Sequence, residues 1–400
     1  MSKSRLDRIE PGLRSFIDRG VVAGSNAVVS RRGEIVHRSS LGHRDREAGV
    51  AMTDDTIFRI YSMTKPVVAT ALMMLQEEHG FPLTSPVMAF IPSFAATQVV
   101  NADGELEPQA RPMDLRDILT HTSGLTYDFL LGSPADDAYR AARIMNDATR
   151  TLEELADAIA EQPLAFQPGA GWRYSVGIDV VARVVEVISG QPLGTFLQER
   201  LFGPLGMTDT AFGVPDDQLG RLAAMYGLPD LMGRDYSAAQ LLEAALAGVN
   251  ERHDVSETYP TDQPDTFVRG GVGLFSTIDD YLSFATMLLS GEANGERFLG
   301  RKTLELMHTN HVPAELLPFD LIGQPFNGWG FGLGSRVLMD VGRMGGHGSV
   351  GEFGWAGAAK TYFWVDPTES IVGVYMSQYM TGLELPEQVL RALTYQAIID

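Results

Sequence analysis

Apolar residues at Leu6, Ile9, Leu13, Phe16 and Ile17 recur at helical spacing and predict a helix over residues 4–19. The pattern then shortens. Two β-prone runs, 25–30 and 34–38, flank Arg32-Gly33 and predict a hairpin. From 64 to about 76 nearly every position is apolar, which predicts a buried helix. Residues 80–265 read mainly as helices broken by Pro and Gly, most clearly over 152–160, 179–188 and 240–246. Within them, 213–264 is acidic with few strand signals, and is expected to make excursions over a surface. After Gly270-Gly271 a helix is expected over about 278–289. Beyond 328 the runs 331–338, 354–365 and 371–376 are rich in Gly, aromatic and β-branched residues. They predict three consecutive antiparallel strands, and a last helix follows over about 386–399.

This order implies an α+β fold. One antiparallel sheet, flanked by helices, is built from both chain ends, 1–79 and 266–400, and an all-helical block, 80–265, is inserted between them. No internal repeat or low-complexity tract interrupts it. The 400 residues are 44% hydrophobic, enough for a large core. The net charge of −20 repels phosphate backbones and anionic bilayers, so neither nucleic acid nor membrane is expected as a partner. No stretch approaches the roughly 18 apolar residues of a membrane span, and the first ten residues lack the apolar core of a secretory signal. The expected location is the cytoplasm, with a small molecule as partner. Without cysteine there is no disulfide, thiolate metal site or cysteine nucleophile. Oligomeric state stays open.

Charge and composition leave one oddity at the start of the buried helix. Ile60-Tyr-Ser62-Met-Thr-Lys65-Pro66 holds one of only four lysines in the chain, Lys3, Lys65, Lys302 and Lys360. Proline is tolerated only in a helix's first turn, so the helix begins near 61–63 and Ser62 lies at its N-terminus, beside unpaired N–H groups. Residues three apart share a helix face, which puts Lys65 next to Ser62. A serine hydroxyl is a weak nucleophile until a base takes its proton, and a neutral lysine can be that base. Burial in an apolar wall disfavours the charged form. Taken alone, the pair also fits a capped helix with a lysine reaching water. Tyr174 follows the Pro/Gly loop 167–171 and precedes the next helix, where a phenol can complete a Ser/Lys/Tyr cluster; a core tyrosine is the other reading. Gly354-Trp355-Ala356-Gly357-Ala358 combines a strand pattern with small residues, which suits close approach by a ligand, or a bulge or tight sheet packing. Tyr127 either lines the same pocket or packs in the core.

Taken together, Ser62-Met-Thr-Lys65, Tyr174-Ser-Val176 and Trp355-Ala-Gly357 resemble the three motifs of the class C β-lactamase and penicillin-recognising superfamily, in the form carried by family VIII carboxylesterases. Ile118-Leu-Thr-His-Thr-Ser-Gly-Leu125, Pro204-Leu-Gly-Met-Thr-Asp-Thr210 and Gly271-Val-Gly-Leu-Phe-Ser-Thr277 are similar too, and the likeness runs from about 10 to 395. The resemblance implies a β-lactamase-like fold, a sheet flanked by helices plus a helical domain. It implies that Ser62 is acylated, that Lys65 and Tyr174 relay its proton and activate the deacylating water, and that the N–H groups of Ser62 and Ala358 form the oxyanion hole.

The departures from the family pattern bear on substrate. Class C β-lactamases end the second motif in asparagine and begin the third with lysine; here those places hold Val176 and Trp355. Tryptophan offers an apolar wall and one donor, which suits neutral acyl esters better than anionic lactams. Substrate contacts are expected from Trp355, Gly357, Tyr127 and Val176. His347, in Gly346-His-Gly348, is a secondary candidate. Lys360 returns positive charge near the pocket and leaves room for weak β-lactam turnover. No Gly-x-Ser-x-Gly elbow occurs. His308-Thr-Asn-His311 lacks zinc-helix spacing, so surface histidines and no metal or cofactor are expected. The expected activity is hydrolysis of short-chain acyl esters by a serine carboxylesterase. A β-lactamase, a D-amino-acid peptidase or amidase, or an acyltransferase using the same site is the alternative, and a non-catalytic binding protein stands behind both.

Overall fold

The computed structural model describes residues 1–101, 103–228, 252–380 and 382–400, together with 239, 240, 243 and 246. Its centre is an antiparallel sheet of eight strands. They are β1 (Gly24–Arg31), β2 (Glu34–Asp45), β3 (Val50–Ala51), β4 (Trp329–Phe331), β5 (Arg336–Leu338), β6 (Phe353–Gly357), β7 (Thr361–Asp366) and β8 (Ile371–Met376). Their spatial order is β4-β5-β6-β7-β8-β1-β2-β3. Strand β1 pairs with β8, Ala27 opposite Tyr375 and Val28 opposite Val374, so the two ends of the chain share one sheet.

Seven helices matter below: α1 (Ile9–Asp18), α2 (Thr64–His79), α3 (Leu115–Thr120), α4 (Leu152–Ala160), α5 (Gly177–Ser189), α6 (Ile278–Ser290) and α7 (Pro386–Gln396). Because strand side chains alternate, the sheet feeds two cores. Ala27, Val29, Tyr362, Trp364 and Tyr375 cluster with Ile9 and Leu13 of α1 and Leu390 of α7. Val28, Phe363, Val365 and Val374 enter the larger cluster with Tyr281 and Phe284 of α6. That larger cluster continues through α2, α4 and α5, and α2 is buried from Thr64 to Leu75.

Several predicted elements are divided in the structure. The helix expected over 4–19 is Lys3–Leu6 followed by α1, because Pro11 must lie in a first turn and its ring excludes a helical carbonyl four residues earlier. Run 331–338 is the pair β4 and β5, turned at Gly332–Ser335 with Gly334 at φ +83°. Run 354–365 is β6 and β7, turned at 358–360 with Lys360 at φ +62°. Five strands thus stand where three were expected. The 240–246 helix lies mostly outside the described residues. Within the helical block Gln98–Val100 and Leu106–Pro108 form a small hairpin. Tyr226–Gly227 pairs in parallel with Tyr379–Met380, which ties the acidic stretch to the far end of the chain. Among the described residues no single helix is long and apolar enough to cross a membrane.

Candidate active site

Ser62 sits in a single 3-10 turn, Tyr61–Met63, that runs directly into α2. Tyr61 holds a left-handed backbone, φ +46°, which a bulky residue adopts only where its surroundings impose it. Those surroundings are the Tyr259 ring, 4.8 Å from the Tyr61 ring, and Thr361 Oγ1, which donates to Ile60 O at 3.1 Å. Gly357 belongs to the same constraint. A Cβ there would collide with Ile60 O and Thr361 Oγ1. The glycine therefore admits the chain itself: the end of β6 closes onto the Ser62 turn.

Lys65 is fully buried one turn further on. Its Nζ donates to Gly271 O at 2.7 Å and to Ser62 Oγ at 3.1 Å. It also lies 4.7 Å from the ring centre of Tyr174 and 5.2 Å from that of Tyr127. Gly271 N–H in turn donates to Asp179 Oδ1 at 2.9 Å. Asp179, from α5, is held above the usual carboxylate range by burial, against the pull of Gly271 N–H and the Lys65 charge. A Cβ on Gly271 would stand 2.5 Å from Asp179 Oδ2 and 2.7 Å from Tyr127 OH, so only glycine fits here. Burial, with Tyr174 beside it, pushes the Tyr127 phenol well above its ordinary range.

Tyr174 approaches from the loop before α5. Its ring lies 4.8 Å from His121, 5.2 Å from Tyr127 and 5.6 Å from Trp355. Trp355 Nε1 donates to Tyr174 OH at 3.2 Å. An indole can only donate, so the phenol oxygen accepts from it and directs its own proton elsewhere. His121, at the left-handed end of α3, shares a hydrogen bond with Ser175 Oγ at 3.0 Å. Burial, and then the Lys65 charge, keep it well below the ordinary histidine range and therefore neutral.

Above Ser62 opens a pocket of about 290 Å³. Ser62, Tyr127, Tyr174, Trp355, Gly357 and Ala358 border it, and Lys65 stands behind Ser62. Three expectations are corrected. Val176 is fully buried in the core, its N–H on Thr126 O, and does not reach the pocket. His347 is exposed on the segment after Val341–Met344, away from the pocket. Lys360 is buried in the β6–β7 turn, with Nζ on Gly382 O at 2.9 Å and Glu387 nearby, so its charge is engaged outside the pocket. The pocket's cation is instead Arg336 of β5, which no motif marks; its one signal is a charge inside an otherwise apolar strand. The apolar walls Phe129, Leu321, Phe326 and Met380 come from loops and two-residue strands too short to show periodicity. Among the described residues no cluster of three or more His, Asp or Glu is arranged to hold a metal ion.

Comparison with known proteins points the same way. The family model described as Beta-lactamase matches residues 11–396. An uncharacterised protein of Mycobacterium tuberculosis is 36% identical over 389 residues, covering 95% of this chain and 92% of its own length. Esterase EstB of Burkholderia gladioli is 33% identical over 353 residues, covering 86% and 83%. The solved structure of EstCE1, described as a hydrolase with promiscuous acyltransferase activity, superposes with a TM-score of 0.79 at 27% identity, covering 98% of this chain and 99% of that one.

Proposed function

Since the chain belongs to the beta-lactamase family, we propose that it is a serine carboxylesterase of the family VIII kind, cleaving short-chain acyl esters through an acyl-enzyme on Ser62. The observation that carries this reading is the 3.1 Å contact between Lys65 Nζ and Ser62 Oγ at the floor of a largely apolar pocket. Ser62 Oγ attacks the ester carbonyl carbon as its proton passes to the Lys65/Tyr174 pair. The oxyanion of the tetrahedral intermediate is received by the N–H groups of Ser62 and Ala358. Collapse breaks the bond to the alcohol oxygen, which takes a proton through Tyr174. A water then enters, loses its proton to the Lys65/Tyr174 pair, and releases the acid. Trp355 fixes the Tyr174 oxygen by its hydrogen bond and walls the pocket. Tyr127 and Gly357 line the acyl path.

A fluorophosphonate probe should add one adduct to the intact protein and none to Ser62→Ala. The same substitution should lower kcat for 4-nitrophenyl butyrate by about 10⁴-fold or more. A labelled or fully active Ser62→Ala protein ends the assignment. Acyl transfer is the second reading, supported by the apolar pocket and by the likeness to EstCE1. A rise in transesterified product on adding a small alcohol, with Ser62 intact, identifies it. Higher kcat/KM for nitrocefin or a D-Ala-D-Ala peptide than for the butyrate ester would replace ester cleavage by the lactam or peptide reading.

A further inference from the structure

Arg336 lies on β5 directly across from Gly354 of β6. Gly354 is three residues before Gly357, about 10 Å along the strand at the usual rise. Arg336 therefore stands at the end of the pocket away from Ser62, and it borders that pocket. It is only 7% exposed. Its guanidinium carbon is 4.4 Å from the Trp329 ring centre, 5.2 Å from Tyr362 and 5.9 Å from Phe326. Nη2 donates to Tyr362 OH at 2.7 Å. Nε is buried with no hydrogen-bond partner, and among the described residues no acid lies within ion-pairing distance of the side chain.

Two buried carboxylates feel the Arg336 charge without forming an ion pair with it, Glu387 and Glu352, and Glu352 is committed elsewhere. Glu352 accepts from Arg391 Nε at 2.8 Å and Nη2 at 2.7 Å, and from Tyr395 OH at 2.5 Å. Arg336 is thus a buried cation, held in place by aromatic faces, with an unfilled donor beside a ligand pocket. Burying such a charge without a directly paired counter-ion is costly, and the pocket lining, free of Asp and Glu, offers none. The aromatic faces fix the side chain before any ligand arrives, so a ligand anion pays little to order it.

We infer that Arg336 is the receptor for a carboxylate carried by the substrate, so that the enzyme prefers esters bearing an anionic group remote from the scissile bond. This rests on the esterase reading of the Ser62 site and departs from the expectation of wholly neutral substrates. The carboxylate can belong to the acyl chain, as in a half-ester of a dicarboxylic acid, or to the alcohol, as in an ester of a hydroxy acid.

The test compares each acid with its own methyl ester, in two pairs. One pair is mono-4-nitrophenyl glutarate and its methyl ester, and the other is 4-carboxyphenyl butyrate and its methyl ester. In at least one pair the acid should exceed its methyl ester in kcat/KM by about tenfold or more, the scale of one charge-assisted hydrogen bond. The pair that responds tells which side of the ester carries the charge. Arg336→Met should bring that ratio down to about one, and Arg336→Lys should restore part of it. Equal or poorer turnover of both acids by the unaltered protein overturns the inference, as does a ratio that Arg336→Met leaves unchanged. If the variants do not fold, inhibition of 4-nitrophenyl butyrate hydrolysis by glutaric acid monoanilide is compared with that by its methyl ester, using the unaltered protein. Competitive inhibition by the acid alone supports the inference, and equal inhibition overturns it. Failure of the underlying esterase reading looks different: none of the esters is turned over and the fluorophosphonate adds no mass.

Discussion

At Lys65 an amino group is carried into a fully buried position with a carbonyl, a hydroxyl and two aromatic faces for company. Its place beside Ser62 follows from one turn of helix, whereas its second partner, Gly271 O, arrives from 206 residues away. Neutral histidines, one buried and one half-buried, set a pH limit on the same molecule. His308 stacks on Phe353, and burial pushes it down to about 3; His121 is lowered for the same reason. In the unfolded chain both bind a proton below about 6.5. Between that value and about 3 the unfolded state holds more protons, so stability is complete above about pH 6.5 and falls as pH drops toward 3. Melting temperature followed from pH 7.5 to 4 should decline, and His308→Gln should flatten part of the decline. An identical slope in the variant would remove His308 from the account. His308 and His311, read from the sequence as surface histidines, are half-buried, because part of their cover comes from residues distant in the chain.

Helix α7 shows how an element is held to the sheet by one polar contact inside an apolar layer. Arg391 and Glu352 form a bidentate pair with side chains 5% and 0% exposed, and Tyr395 OH bridges Glu352 to Asp366 Oδ2 at 2.7 Å. Removing one member leaves the other charge buried and uncompensated, which costs about 3–5 kcal/mol. Arg391→Met should lower the unfolding free energy in urea by that amount, through a lower midpoint at an unchanged slope; a loss under about 1 kcal/mol would show the pair to be dispensable. The helix itself is legible in the sequence by its periodicity. Its anchor is not, since Glu352 and Arg391 lie 39 residues apart with no pattern linking them. The strands divide the same way. Apolar content marks 331–338 and 354–365 as β, but each is a hairpin, and the folding points are a glycine at φ +83° and a lysine at φ +62°. A left-handed lysine gives no compositional warning.

Across the whole molecule the larger core joins the sheet to the helical block. A single cluster contains Val28 and Val374 of the sheet, Leu72 of α2, Ile159 of α4, Val180 of α5 and Phe284 of α6. We therefore propose that the two parts expected from the sequence, 1–79 with 266–400 and 80–265, unfold as one unit. Calorimetry should give one transition, with calorimetric and van't Hoff enthalpies agreeing. Two separate transitions would establish the parts as independent. The site depends on this continuity: Ser62 and Lys65 come from the first part, Tyr174 from the second, and Trp355 and Gly271 from the last.

The sequence by itself determined the local placement of Lys65 beside Ser62 and the order of strands and helices, and it singled out Tyr174 and Trp355, which border the same pocket as Ser62. Proline and glycine placement, helical spacing and motif order are all short-range or collinear signals. Only the tertiary structure decided what fills the pocket wall. It withdrew Val176 and His347, turned Lys360 toward Gly382, and brought in Arg336. Those outcomes depend on which face of a strand is turned to the cavity and on which distant carboxylate is already taken. A strand's two faces differ by a single residue of register, and counter-ion pairing is set across the fold rather than along the chain.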